Sequence, residues 1–110
     1  MSGRPLLHVA RAADWHAARD SGTYPIPPAP GGGPAPFLHL CRPEQLAGVL
    51  ERFFAAEPEP LLLLEVDPAG LDVRMEPAPD GAGVFPHLYE PLPTGAVTNV
   101  RPDPRPGRTA

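Results

Sequence analysis

The chain has no lysine; its nine basic residues are all arginine. That removes any glycine-rich, lysine-ended loop of the kind that cradles phosphates. With a net charge of −4 and no basic patch in the sequence, generic binding to a nucleic-acid backbone is not expected. Isolated arginines can still fork onto a phosphate in a cleft. Cysteine is nearly absent: Cys41 stands alone, which excludes an internal disulfide and a four-cysteine zinc site. No run of about 18 apolar residues and no charged-then-apolar leader is found, so the sequence reads as that of a cytoplasmic protein. No internal repeat is evident.

Proline, by contrast, is abundant: 19 of 110 residues, against a usual ~5%. The prolines are bunched, and the stretches between them are apolar and patterned, which predicts an ordered domain with stiff loops. Residues 1–101 read as one globular domain, with a Pro/Gly-rich loop at 23–36 and a disordered tail at 102–110, where nothing is left to bury. The loop "TYPIPPAPGGGPAP" is longer than an ordinary connection, which favours a functional flap or disorder.

Strands are expected at "PLLHVA" (5–10), "FLHLC" (37–41), "LLLLEV" (61–66), "LDVRME" (71–76) and "GAVTNV" (95–100). The third is a continuous apolar run that suits a strand covered on both faces. In 71–76, Leu71, Val73 and Met75 are expected to point inward. Helices are expected at "RAADWHAARDSG", ended by Gly22 with Trp15 and Ala18 inward, and at "RPEQLAGVLERFFAA". In the second, Leu46, Val49, Leu50 and Phe53 keep the spacing of a core-facing stripe. The sum is an α+β domain with a small, mixed, mainly antiparallel split sheet and two helices.

Chemistry gathers around histidines. His8 lies opposite Leu7 and Val9 along its strand, and His39 opposite Leu38 and Leu40. Side chains alternate faces, so if the aliphatics mark the core, both imidazoles leave on the other side. Were the two strands neighbours, the rings would face one cleft; otherwise each is a half-exposed strand histidine. "GVFPHLYEPLP" (83–93) shows no helical or strand period. Its prolines force the residues before them into extended geometry, sending His87 and Tyr89 to one side and Leu88 into the core. That frame is either a rigid turn or a fixed pocket wall. Glu76, with Arg74 two residues before it, is a solvated edge pair or a general base. His39 and Cys41 on one strand face raise a zinc site or a thiol nucleophile, but no CxxC or HExxH spacing supports either, and no metal ligand is assigned.

With these residues in view, the chain resembles the mainly bacterial family known as domain of unknown function 952, over about residues 6–101. The resemblance rests on "LLHVA" followed by Trp15, on "FLHLCRPEQL", on "LLLLEVDPAGL" and on "RMEPAPDGAGVFPHLYEPLP". Where the family has a Ser/Thr pair after its second histidine this chain has Cys41 and Arg42, and Met75 replaces an aromatic before Glu76. The family is similar, more distantly, to the ADP-ribosyltransferase-like fold, whose active members hold NAD in a cleft of a split sheet. That similarity implies a ribose-holding role for His8, a second-strand polar role for His39, and Glu76 or His87 in place of the late catalytic glutamate. RNA 2′-phosphotransferases of the same fold use histidine and arginine instead. The resulting expectation is a nucleotide-cleft protein, with NAD as candidate substrate. His39, Glu76 and His87 are its catalytic candidates; His8, Trp15, Arg74, Phe85 and Tyr89 are its ligand-binding candidates. A non-catalytic module using the same cleft for a small ligand or a protein segment is the alternative, and a His/Cys metal-dependent hydrolase a third.

Overall fold

A computed structural model describes residues 5–28, 32–79 and 81–107. Strand β1 (Leu6–Arg11) runs into helix α1 (Ala12–Ser21), which ends at Gly22 in the left-handed region (φ 87°). The Gly22 N–H closes the last turn on the Ala18 carbonyl, as glycine does past a helix end. Trp15 and Ala18 are buried against the sheet. Strand β2 (Thr23–Tyr24) opens the Pro/Gly-rich segment, and strand β3 (Leu38–His39) closes it.

The apolar run forms strand β4 (Leu61–Val66), antiparallel to β1 on one side and to strand β8 (Val97–Arg101) on the other. Its two faces feed different clusters. Leu64 and Val66 join Ala10, Trp15, Tyr24, Leu38, Leu40, Leu88 and Leu92; Leu61 and Leu63 join Leu7, Val9, Cys41 and Leu50. A middle strand buried on both faces has no use for polar alternation, which is why "LLLLEV" has none. A second sheet places strand β6 (Val84–Leu88) between β3 and strand β5 (Val73–Pro77). A short ribbon pairs β2 with strand β7 (Leu92–Pro93). The two larger sheets meet through a bridge in which Leu7 and Cys41 exchange backbone hydrogen bonds, each 2.8 Å.

Several expectations are corrected. The second helix is not a regular stripe: a 3-10 turn (Pro43–Gln45) and a short α2 (Leu46–Val49) continue into a π turn (Leu50–Phe54). The wider turn advances the chain, so Phe53 is 57% exposed while Phe54 packs with Leu46, Val49 and Leu50. Met75 keeps to the face of Val73, away from Arg74 and Glu76, but is 50% exposed there, because β5 is the sheet's edge. The segment 83–93, without visible period, holds β6 and β7. Pro86 sits inside a central strand, its carbonyl taking the Leu40 N–H at 3.1 Å. Lacking an N–H, proline rarely occupies such a place, and its presence hides the strand from a reading by pattern.

The tail beyond 101 is not loose at its start. Arg105, 6% exposed, donates to the carbonyls of Phe54, Glu57 and Glu59 and to Asp103. Asp103 in turn accepts the Leu61 N–H at 3.1 Å. A guanidinium satisfying carbonyls at and just beyond a helix end anchors this segment without hydrophobic burial. Residues 108–110 lie outside the described residues. Among the described residues, no helix is long and apolar enough to cross a membrane.

Candidate functional site

The Leu7–Cys41 bridge decides where the histidines go. Residues paired directly across a ladder share a face, so Leu7 and Cys41 point one way, and both belong to the same apolar cluster. Alternation then sends His8 to the opposite face and returns His39 to the Leu7 side. The β1 and β3 segments are neighbours through this bridge, as a shared cleft requires, but their register parts the two rings. His8 is 6% exposed. Its Nδ1–H donates to the His39 carbonyl at 2.7 Å, and its Nε2 accepts from the Tyr24 hydroxyl at 3.0 Å. A carbonyl only accepts, which settles this tautomer. Burial lowers the His8 pKa to about 4, so the ring is neutral at pH 7. Both nitrogens are thus engaged within the fold, and His8 is not presented to a ribose. Trp15 lies on the same buried side, 6.5 Å from Tyr24 between ring centroids, and is a core residue.

The other face gathers most of the remaining candidates. His39 is opposite His87 across β3–β6, and Arg74 and Glu76 are opposite His87 and Phe85 across β5–β6. All five therefore share one side of the sheet. Tyr89, two residues beyond His87, joins them while Leu88 is fully buried in the core. Glu76 is the hub: its Oε1 accepts from His87 Nδ1 at 2.8 Å and from the Tyr89 hydroxyl at 2.5 Å. Those donors, Tyr89 first, hold the Glu76 carboxyl below its usual range, and the same bond raises the Tyr89 phenol. An ionised carboxylate only accepts, so the hydrogen of this bond sits on His87 Nδ1. Burial, with His87 as a smaller contribution, lowers the pKa of His39. The His39 and His87 rings lie 5.5 Å apart between centroids, edge to face.

Arg74 is not the partner of Glu76 that its spacing suggested. Its guanidinium pairs with Asp72 at 3.1 Å and covers the Tyr89 ring at 4.1 Å, a cation–π contact. Phe85, on the same side of the sheet, packs against the Leu7–Val9 cluster. Phe37, on the strand face of His39 by its i−2 position, is not among the sequence candidates but stands in the middle of the cluster. Its ring lies nearly parallel on His87 (3.8 Å, 14°) and touches His39 and Tyr89 at 4.9 and 5.3 Å.

Cys41, 3% exposed, has its thiol pushed up to about 11 by burial; at neutral pH it is a packed thiol and not a nucleophile. Among the described residues, no group of three His, Cys, Asp or Glu stands close enough to hold a metal ion. At the centre of the ring cluster His87 is only 6% exposed, and neither a depression of about 400 Å³ between α1 and residues 23–28 nor one of about 350 Å³ beside Leu7 and Arg101 is lined by the cluster.

Comparison with known proteins agrees with this architecture. Two solved structures of one protein, CC0527 from Caulobacter crescentus, superpose well. Its X-ray structure matches with a TM-score of 0.72 and 29% identity, covering 88% of this chain and 83% of that one. Its solution NMR structure matches with a TM-score of 0.70 and 29% identity, covering 89% and 83%. No curated protein matches significantly. The family model described as "Protein of unknown function (DUF952)" matches residues 9–100, and the chain belongs to that family.

Proposed function

We propose that this protein binds a nucleotide of the NAD or ADP-ribose kind on the His39–His87–Tyr89 face. There, Glu76 and His87 act as a coupled pair in transfer chemistry of the sort seen in ADP-ribosyltransferases or RNA 2′-phosphotransferases. The observation that carries the reading is the single carboxylate oxygen of Glu76 accepting from both His87 and Tyr89. A carboxylate that fixes one imidazole tautomer leaves Nε2 as a general base, and its charge stabilises cationic character developing at a ribose carbon. Arg74, permanently charged, stands beside it for a phosphate, and His39 supplies a second polar ring. His8 has no direct part in this version of the site; it holds the His39 backbone from behind.

Calorimetry with NAD, ADP-ribose and a 2′-phosphorylated RNA tests the reading. Binding of at least one, weakened tenfold or more by Glu76→Gln and by His87→Asn, is expected. No binding of any of the three at millimolar concentration overturns it. Ligand binding without turnover that tolerates Glu76→Gln would instead place the protein among non-catalytic binding modules.

A further inference from the structure

The walls and the occupant of the ring cluster are held very differently. Tyr89 is fixed at its hydroxyl by Glu76 and over its face by Arg74. His87 is fixed at Nδ1 by the same carboxylate and sits in the central strand β6. His39 is paired in β3, with its carbonyl held by His8. Phe37 lies among these three rings, stacked on one and angled against the others. It precedes β3, at the end of the segment 32–36, in which Gly32, Gly33, Pro34 and Pro36 are exposed. Gly32 has a φ of +98° with open space around it, a backbone state that glycine enters and leaves at little cost. What holds the ring in place is its contact with the other rings.

We propose that Phe37 occupies the seat of a planar aromatic ligand ring, and that such a ligand binds by turning Phe37 out and stacking on His87 in its place. The chemical class is a flat, uncharged or weakly charged heteroaromatic ring. Its stacking surface is His87, with the edges of His39 and Tyr89 as side walls. This adds to the nucleotide reading a statement of which part of the ligand enters first and what it displaces. The exchange replaces one ring stack by another, so it is selective: a ligand without a ring, such as inorganic phosphate or ribose 5-phosphate, gains nothing in the seat and does not displace Phe37.

The test uses the full chain with Phe37→Ala, indole as a bare ring probe, and adenosine 5′-monophosphate as a ring bearing a phosphate. Backbone amide and aromatic NMR signals report the binding. Indole is expected to bind the variant at least tenfold more tightly than the unmutated chain, shifting the signals of His39, His87 and Tyr89. Should the variant fail to fold, the unmutated chain decides. Stacking on His87 gives the Phe37 ring protons a ring-current displacement, and saturating indole is expected to remove it. Indole that binds neither form at these residues, or that binds with the Phe37 signals unmoved, overturns the proposal. Indole that takes the seat while adenosine 5′-monophosphate, NAD and ADP-ribose are all ignored upholds the ring seat and removes the nucleotide reading.

Discussion

Two tyrosine–histidine contacts lie on opposite faces of the two bridged sheets. On the buried side, Tyr24 donates to His8, which donates to a backbone carbonyl. On the other side, where His87 is just as buried, Tyr89 and His87 both donate to a carboxylate. The first chain of bonds ends in a neutral acceptor and is enclosed by Trp15 and aliphatic residues. The second ends in a charge beside an arginine, with Glu76 partly open to solvent. The same two ring types therefore yield a core fastening in one place and a carboxylate-bound pair in the other. Residue identity alone does not make a site. The presence of an ionised acceptor and the side of the sheet decide it.

The largest expected effect falls on the buried side. His8→Ala leaves a cavity and strands the Tyr24 hydroxyl and the His39 carbonyl, a loss of roughly 3 kcal/mol read by urea denaturation. His39→Ala, at an exposed position, is expected to cost less than about 1 kcal/mol. Equal costs would erase the contrast.

Acidity separates the two sides next. The pKa of His8 is about 4 in the fold against 6.5 for the free residue. Between those values the unfolded chain holds the extra proton, so stability rises with pH and is lost as pH falls through this window. By pH 5 the loss is about 2 kcal/mol. His39, also lowered, acts in the same sense. The lowered carboxyls of Glu76 and Asp103 act only at lower pH. Denaturation from pH 7 to 5 is expected to show the slope, and a His8→Phe variant to flatten most of it; an unchanged slope in that variant refutes the assignment.

A smaller effect is expected for Glu76→Gln on the other side. Nucleotide affinity should drop about tenfold, or about 1.4 kcal/mol, with little change in melting temperature, because Glu76 is partly open to solvent. A collapse in stability with affinity intact would make Glu76 a structural residue. Smallest of all, Cys41 in the folded chain is expected to resist iodoacetamide at pH 8, its thiol being buried and raised to about 11; rapid labelling would contradict its burial.

Much of this was legible in the sequence, for reasons that can be named. "LLLLEV" announced a doubly covered strand, Gly22 a helix end, and the prolines of "FPHLYEP" the extended path that puts His87 and Tyr89 together with Leu88 inward. What could not be read was register. "LLHVA" and "FLHLC" look alike, and only the pairing of Leu7 with Cys41 shows that their histidines face opposite ways. A slip of one residue in that pairing would put both rings on one side, and nothing in either segment forbids it locally. The π turn at 50–54 and the Arg105 clasp escaped for a similar reason. Both are settled by contacts between distant segments rather than by local period or propensity.

The account stands on the carboxylate-bound state of His87 and its separation from His8. Long-range nitrogen–proton NMR of the imidazoles, recorded at pH 7 with and without NAD, tests both together. It predicts a proton on His87 Nδ1, bound to Glu76, and NAD-dependent shifts at His39, His87 and Tyr89 that leave the His8 ring nitrogens unmoved. A His87 protonated on Nε2 alone, or a His8 ring that responds to NAD before the others do, would contradict it.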